Sequence, residues 1–255
     1  MLPAKKIIAF DLDGTLSKSK TPITEEMGEL VKQLAKKIMV IVTSGGSYNQ
    51  FKTQFLPPFH SDDSMLPLIH NLILLPTSGS QRYEYDQVKK DWVITDREPL
   101  PDYVKEKAKK LLQDIIDSGQ YDIPSNPVGE IVEDRGTQIT FSGCGQRAAL
   151  EVKTAWDPDK KKRQKIVSVL ASELPEASLL INAYSSIDIV PKGFNKAVGL
   201  GRLLKKLGLE KSDLIYIGDG LFPGGNDYSV YEAGFETISI KGPEEVAPLI
   251  RDWIG

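Results

Sequence analysis

Two carboxylates stand one residue apart where a run of β-branched and aromatic residues stops: Asp11 and Asp13 in IIAFDLDGTL. Like charges that close repel, and burying either is costly unless a cation or hydrogen bonds compensate. The pair therefore asks for a metal ion, a proton to share, or exposure in a turn. Three further apolar runs also end in polar clusters. IMVIV is followed by Thr43, Ser44 and Gly45, SSIDIVP leads to Lys196, and SDLIYIG leads to Asp219 with Asn226 and Asp227 in the loop GLFPGGND.

These residue types divide one chemistry between them. Mg²⁺ prefers oxygen ligands in octahedral geometry and is held by a few carboxylates plus substrate phosphate. Asp11 and Asp219, with Asn226 and Asp227 close by, supply the acidic side chains, and the backbone carbonyl of Asp13 completes the protein's share. Asp11 is then placed to attack phosphorus and form an aspartyl-phosphate. The Asp13 side chain serves the substrate as general acid and then base. Lys196 and a hydroxyl after the second strand, Ser44 or its neighbour Thr43, bind the equatorial phosphoryl oxygens. Taken singly, each piece has a plainer reading: a surface turn, a solvated lysine, a helix-capping serine, a glycine-rich loop. Their joint appearance at successive strand ends favours the chemical one.

The elements around them explain how such residues converge. In open α/β sheets a ligand sits beyond the carboxyl ends of the strands. KKIIAFD, IMVIV, NLILLP, SSIDIVP and SDLIYIGD are short buried-strand patterns alternating with helical ones, which predicts a doubly wound, Rossmann-like α/β core with a parallel sheet. ITEEMGELVKQLAKK is an amphipathic helix with Thr24 as its cap, a short helix follows near 47–55, and NKAVGLGRLLKKLG is capped by Asn195 and stopped by Gly208. Between these halves the pattern changes. Alternating strands flank helices over 102–117 and 157–174, with GEIVED and GTQITFSG as adjacent strands, so an α+β domain is inserted into the core. The expected division is residues 1–84 with 186–255 for the core and 85–185 for the inserted cap.

Bulk properties close off other classes. Net charge is −3, with 32 basic and 35 acidic residues, so no global basic field invites nucleic acid. The basic run DKKKRQK reads as a solvated helix face. No stretch approaches the ~18 apolar residues of a membrane span. One cysteine, Cys144, excludes an intramolecular disulfide and suits a reducing, cytoplasmic setting. Two histidines, His60 and His70, cannot build a histidine-rich metal site and read as structural.

FDLDGTL, the Thr-Ser-Gly after the second strand, Lys196 and GDGLFPGGND together resemble the four motifs of the haloacid dehalogenase superfamily of phosphotransferases. The insertion after the third strand resembles the branch that carries an α+β cap there. Within it, GDGLFPGGNDYSVYEAG, SSIDIVPKGFNKAVGL, SGGSYNQFKTQF and RGTQITFSGCGQR look like segments of the eukaryotic-type phosphomannomutases. The resemblance implies Asp11 as nucleophile, Asp13 as acid/base, a Mg²⁺ site at Asp219 with Asn226 or Asp227, and sugar-phosphate contacts from Arg135, Ser186 and Asp188. It also implies a hexose 1,6-bisphosphate activator for a mutase, and a homodimer through the cap. The chain departs from the family at several positions. Lys20, Gln146 and Lys153 stand where the family has Arg, Thr140 stands for Asn, and Arg147 offers a guanidinium one residue along. Lysine carries charge but lacks the bidentate fork that arginine offers phosphate. Three readings follow: a hexose-phosphate mutase, a sugar-phosphate phosphatase on the same residues, and a phosphosugar-binding protein without catalysis. The intact Asp11–Asp13 pair counts against the third, because binding alone needs no acid/base.

Overall fold

The structure, a computed structural model, describes residues 2–18, 21–59 and 70–255. In chain order its elements begin β1 (Ile7–Asp11), α1 (Glu25–Ala35), β2 (Met39–Thr43), α2 (Tyr48–Gln54), β3 (Leu72–Leu75), β4 (Gln81–Asp86) and β5 (Asp91–Arg97). There follow α3 (Asp102–Asp117), β6 (Val132–Asp134), β7 (Ile139–Ser142), α4 (Leu150–Trp156), α5 (Lys161–Glu173), β8 (Ala177–Asn182) and β9 (Ser186–Pro191). The chain ends with α6 (Lys196–Leu207), β10 (Leu214–Gly218), α7 (Tyr228–Glu232), β11 (Glu236–Ser239) and α8 (Pro243–Ile254). Two units result, Met1–Arg97 with Asn195–Gly255, and Glu98–Phe194.

The first unit is a seven-stranded sheet in the order β11-β10-β1-β2-β3-β4-β5. Its first five strands run parallel, and β4 and β5 add an antiparallel edge. Successive residues of a strand point to opposite faces, so a sheet covered on both sides must be apolar throughout. Accordingly Ile8, Phe10, Val40 and Val42 join the core under α1 and α8, while Ile7, Ala9 and Ile41 join the core under α6. Register aligns Asp11 with Thr43 at the carboxyl ends of neighbouring strands. The caps expected at Thr24 and Asn195 are formed, each side chain accepting the N–H three residues on, and Gly208 ends α6 in the left-handed region.

The second unit is a four-stranded antiparallel sheet, β6-β7-β9-β8, with α3 and α5 on one face. Val104, Ala108, Leu112 and Ile115 of α3 form a stripe at helical spacing that meets Ile139, Phe141, Ile187 and Ile189. The alternate residues of the same strands are polar yet buried: Thr140, Ser142, Ser186 and Asp188.

The domain boundaries differ from the sequence expectation at both ends. β4 and β5 belong to the core sheet, since Tyr83, Tyr85 and Trp92 pack onto its apolar side. Their alternating pattern reflects an edge position, half covered, and not a cap strand. SIDIVP moves the other way. Its continuous burial looks like a parallel core strand, but β9 pairs antiparallel with both β7 and β8. The units therefore change over after Arg97 and after Phe194 instead of after 84 and 185. Among the described residues no helix is long and apolar enough to cross a membrane.

Candidate active site

The carboxyl ends of β1, β2 and β10, with the first turn of α6, bring the core candidates together. Lys196 is the first residue of α6 and is buried. Its Nζ donates to Asp11 Oδ1 and to Asp227 Oδ1, each at 2.6 Å. Asp227 is further held by the Tyr216 hydroxyl at 2.6 Å and by the Gly220 N–H at 3.0 Å. Asp219 accepts a long bond of 3.4 Å from Thr15. One carboxylate oxygen from each of Asp11, Asp219 and Asp227 lies within 4.8 Å of the others.

Glycines permit this crowding. Gly14 has φ +84, and a Cβ there would lie 2.3 Å from Asp219 Oδ2. A Cβ on Gly218 would lie 2.5 Å from Asp227 Oδ2. Backbone must approach carboxylate at both points, and only glycine leaves the room.

The electrostatics follow from three neighbouring carboxylates with one buried cation, which bonds two of them. Burial pushes the Asp11 carboxyl well above the usual range; Lys196 opposes that, and Asp227 adds to it. Asp219 is raised by burial and then by Asp227. Burial works against the charge on Lys196, but Asp11 and Asp227 outweigh it and hold its pKa above that of an ordinary lysine. The Tyr216 phenol is pushed far up by burial and by Asp227, so it serves as a donor. Asp11 Oδ2 and Thr43 Oγ1 are buried without a hydrogen-bond partner among the described residues. An acidic group with an unsatisfied inward oxygen is the donor set a hard divalent cation fits.

Asp13 is turned away from that group. Its Oδ2 accepts from Gln50 at 2.7 Å and, more weakly, from Ser44 at 3.4 Å, while its Oδ1 accepts from Gln54 at 2.9 Å. Ser44 in turn accepts the Gly46 N–H at 3.0 Å, and Gly45 lies between them in the turn. Asn226 is exposed and folds back on Gly220, where an added Cβ would lie 2.0 Å from its Oδ1. Neither Gln50 nor Gln54, nor Tyr216, nor Thr15 was found from sequence. The available signal was a pair of glutamines four apart on a short helix, and one tyrosine inside an otherwise aliphatic strand.

The inserted unit holds the remaining candidates in a network of its own. Arg135 donates from Nε and Nη2 to Glu133 Oε2, at 2.9 and 2.7 Å, and reaches Gln146 Oε1 at 3.3 Å. Lys153 is buried and donates to the Gln146 carbonyl at 2.8 Å. Thr140 donates to Asp188 Oδ1 at 2.8 Å and accepts from Gln138 at 2.8 Å. Ser186 sits opposite Ser142 on β7, and Arg147 is exposed beside Gly129. Lys20 and His60 lie outside the described residues.

A parallel sheet with acidic groups at its strand ends, interrupted by an α+β insertion, is the architecture of haloacid dehalogenase-like proteins. The solved haloacid dehalogenase-like hydrolase from Bacteroides thetaiotaomicron has this fold, with a TM-score of 0.62 over 97% of this chain and 99% of that one at 16% identity. Residues 75–253 match the model of the eukaryotic phosphomannomutase family, and the chain belongs to that family. Its relatives include a phosphomannomutase of Encephalitozoon cuniculi, 28% identical over 94% of this chain and 90% of that protein. Phosphomannomutase 2 of Dictyostelium discoideum is 27% identical over 97% of this chain and 96% of that protein.

Proposed function

We propose that the protein is a phosphomannomutase-type phosphotransferase that interconverts mannose 6-phosphate and mannose 1-phosphate through an aspartyl-phosphate on Asp11. One observation carries this reading. In a chain of the phosphomannomutase family, the buried Asp11 keeps one oxygen on Lys196 and the other without a partner. An Asp11 oxygen attacks phosphorus, the bond from phosphorus to the departing sugar oxygen breaks, and Asp13 protonates that oxygen. In the return step Asp13 takes the proton from the accepting hydroxyl, whose oxygen attacks phosphorus and releases the Asp11 carboxylate. Lys196 and the Ser44 hydroxyl neutralise the phosphoryl oxygens, where charge accumulates. Asp11 and Asp219, with the Asp13 carbonyl, would hold Mg²⁺, which supplies Lewis-acid neutralisation of phosphoryl charge when bound. A cytoplasmic setting belongs to this reading, and the free thiol of Cys144 suits a reducing compartment.

The hydrolase reading has an observation in its favour. Of the cations expected to grip a second phosphate, Arg135 is paired with Glu133 and Lys153 with a backbone carbonyl, within their own unit. Hydrolysis needs no such grip, because water accepts the phosphoryl group. The deciding assay supplies mannose 1-phosphate and Mg²⁺ with and without a hexose 1,6-bisphosphate, and follows mannose 6-phosphate and free phosphate together. Bisphosphate-dependent isomerisation with little phosphate release is expected. Steady phosphate release without isomerised sugar would replace the mutase by a phosphatase.

A further inference from the structure

Two glutamines that the reaction scheme does not use make close side-chain hydrogen bonds to the Asp13 carboxylate, with Ser44 farther off at 3.4 Å. Gln50 and Gln54 are four residues apart on α2, a spacing that puts both on one helix face. Gln50 Nε2 donates to Asp13 Oδ2 at 2.7 Å and to Gln54 Oε1 at 2.7 Å. Gln54 Nε2 donates to Asp13 Oδ1 at 2.9 Å and to Ser17 Oγ at 2.6 Å. An amide nitrogen has two hydrogens, so both amides are spent in full, and half of their N–H groups go to one carboxylate.

The network also fixes which way each amide faces. Turning Gln54 over would set its carbonyl oxygen against Asp13 and leave Ser17 without that donor. Gln54 is buried, which makes an unmatched amide costly there. The backbone is shaped to the same end. A Cβ on Gly46 would lie 1.8 Å from Gln50 Oε1, so glycine at that position leaves the space in which the Gln50 amide lies.

We propose that Gln50 and Gln54 act as a two-amide clamp that positions the Asp13 carboxylate for proton transfer to and from the sugar oxygen. This rests on the acid/base reading of Asp13, and it adds residues that act on the reaction through Asp13 without touching substrate. A carboxylate bonded at both oxygens cannot rotate about its Cβ–Cγ bond. Its proton-bearing oxygen then stays where the substrate oxygen arrives, and alignment of this kind controls rate steeply.

The test separates positioning from mere scaffolding through the leaving group. A sugar oxygen is strongly basic and needs the proton, whereas p-nitrophenolate leaves without one. Gln50→Ala, only part-buried and therefore the safer variant, and Gln54→Met, which keeps the buried volume, are assayed with hexose phosphate and with p-nitrophenyl phosphate. Asp13→Asn is run beside them. Expected is a loss in kcat of about 10- to 100-fold on the hexose phosphate with KM little changed, and of no more than about 3-fold in the pre-steady-state burst of p-nitrophenolate, the step that precedes any use of Asp13 as base. Gly46→Ala, which displaces the Gln50 amide while keeping it in the chain, should show the same selectivity. If Asp13→Asn is selective for the sugar substrate but the glutamine variants lose both activities equally, or lose neither, the clamp is wrong while the acid/base reading stands. If Asp13→Asn itself loses both equally, the acid/base reading fails first and the clamp with it.

Discussion

Two clusters of buried charge, one in each unit, are used in opposite ways. In the inserted unit, Arg163 is held from every side: Asp157 accepts from its Nε at 2.8 Å, and the carbonyls of Asn182 and Ala183 take its Nη1 at 3.1 and 2.9 Å. In the core, Lys196 pairs with Asp11 and Asp227 while Asp219 stands beside them, and one Asp11 oxygen is buried without a partner among the described residues. The first arrangement closes on itself and serves stability. The second leaves acidic charge uncompensated, and a fold keeps such a deficit where something else is to bind. Complete pairing marks structure, and incomplete pairing marks function.

The sharpest way to break that contrast is Asp11→Asn. It removes the proposed nucleophile, so phosphate transfer should fall by about 10⁴-fold or more. Its effect on folding should be the reverse of what loss of an ion pair suggests. Burial and Asp227 together outweigh Lys196 in raising the Asp11 carboxyl, so its negative charge is disfavoured in the folded chain. A neutral isostere removes that penalty, and in EDTA the thermal midpoint should hold or rise. A clear fall in the midpoint would mean the core charges are matched as fully as those of the cap.

Arg163→Met is the counterpart. It leaves Asp157 buried with its main countercharge gone, a defect costing about 3–5 kcal/mol in comparable buried pairs. Thermal and urea unfolding should show the loss. A near-neutral result would say that the cap's closed pair is dispensable.

Metal addition gives the next largest effect. A ligand that binds only the folded state at 100 times its Kd stabilises by about 2.7 kcal/mol. Mg²⁺ should therefore raise the thermal midpoint, and Asp219→Asn should abolish that rise without lowering the midpoint in EDTA, because Asp219 is also a carboxylate that burial disfavours. Arg135→Ala should leave the metal-linked rise intact. A rise that survives Asp219→Asn would move the cation elsewhere.

How much of this was legible beforehand divides along the same line. Asp11, Asp219 and Asp227 were readable because strand ends are read from apolar runs, and charges at strand ends converge in an open sheet. Lys196 was named on the same argument, yet the strand before it belongs to the other unit, and it is the start of α6 that places it. The helix caps at Thr24 and Asn195 were readable because capping is local. The pairing of β9 was not. Its residues are buried on both faces, as a parallel core strand would be, and only partners distant in sequence distinguish the two. Gln50 and Gln54 were hidden for another reason. Glutamine on a short helix is ordinary, and the meaning of these two lies in the carboxylate they meet, 37 and 41 residues away. The tie between Arg135 and Glu133 was equally invisible, since cations in a sequence are counted as free until a partner is seen.

The smallest effect bears on how local structure serves the site. Thr24 and Asn195 make the same cap, each side chain accepting the backbone N–H three residues on at 3.1 Å. Replacing either by alanine should cost about 1 kcal/mol of stability. Their consequences for activity should differ. Thr24 starts α1, whose buried residues are apolar core, whereas Asn195 directly precedes Lys196 and sets the turn from which that lysine reaches Asp11. Asn195→Ala should lower kcat several-fold beyond any change in folded fraction, and Asn195→Asp, which restores the cap, should recover most of it. Thr24→Ala should leave kcat unchanged at equal folded fraction. Equal kcat in both alanine variants would show that the depth of Lys196 between two carboxylates holds it in place without help from the helix start.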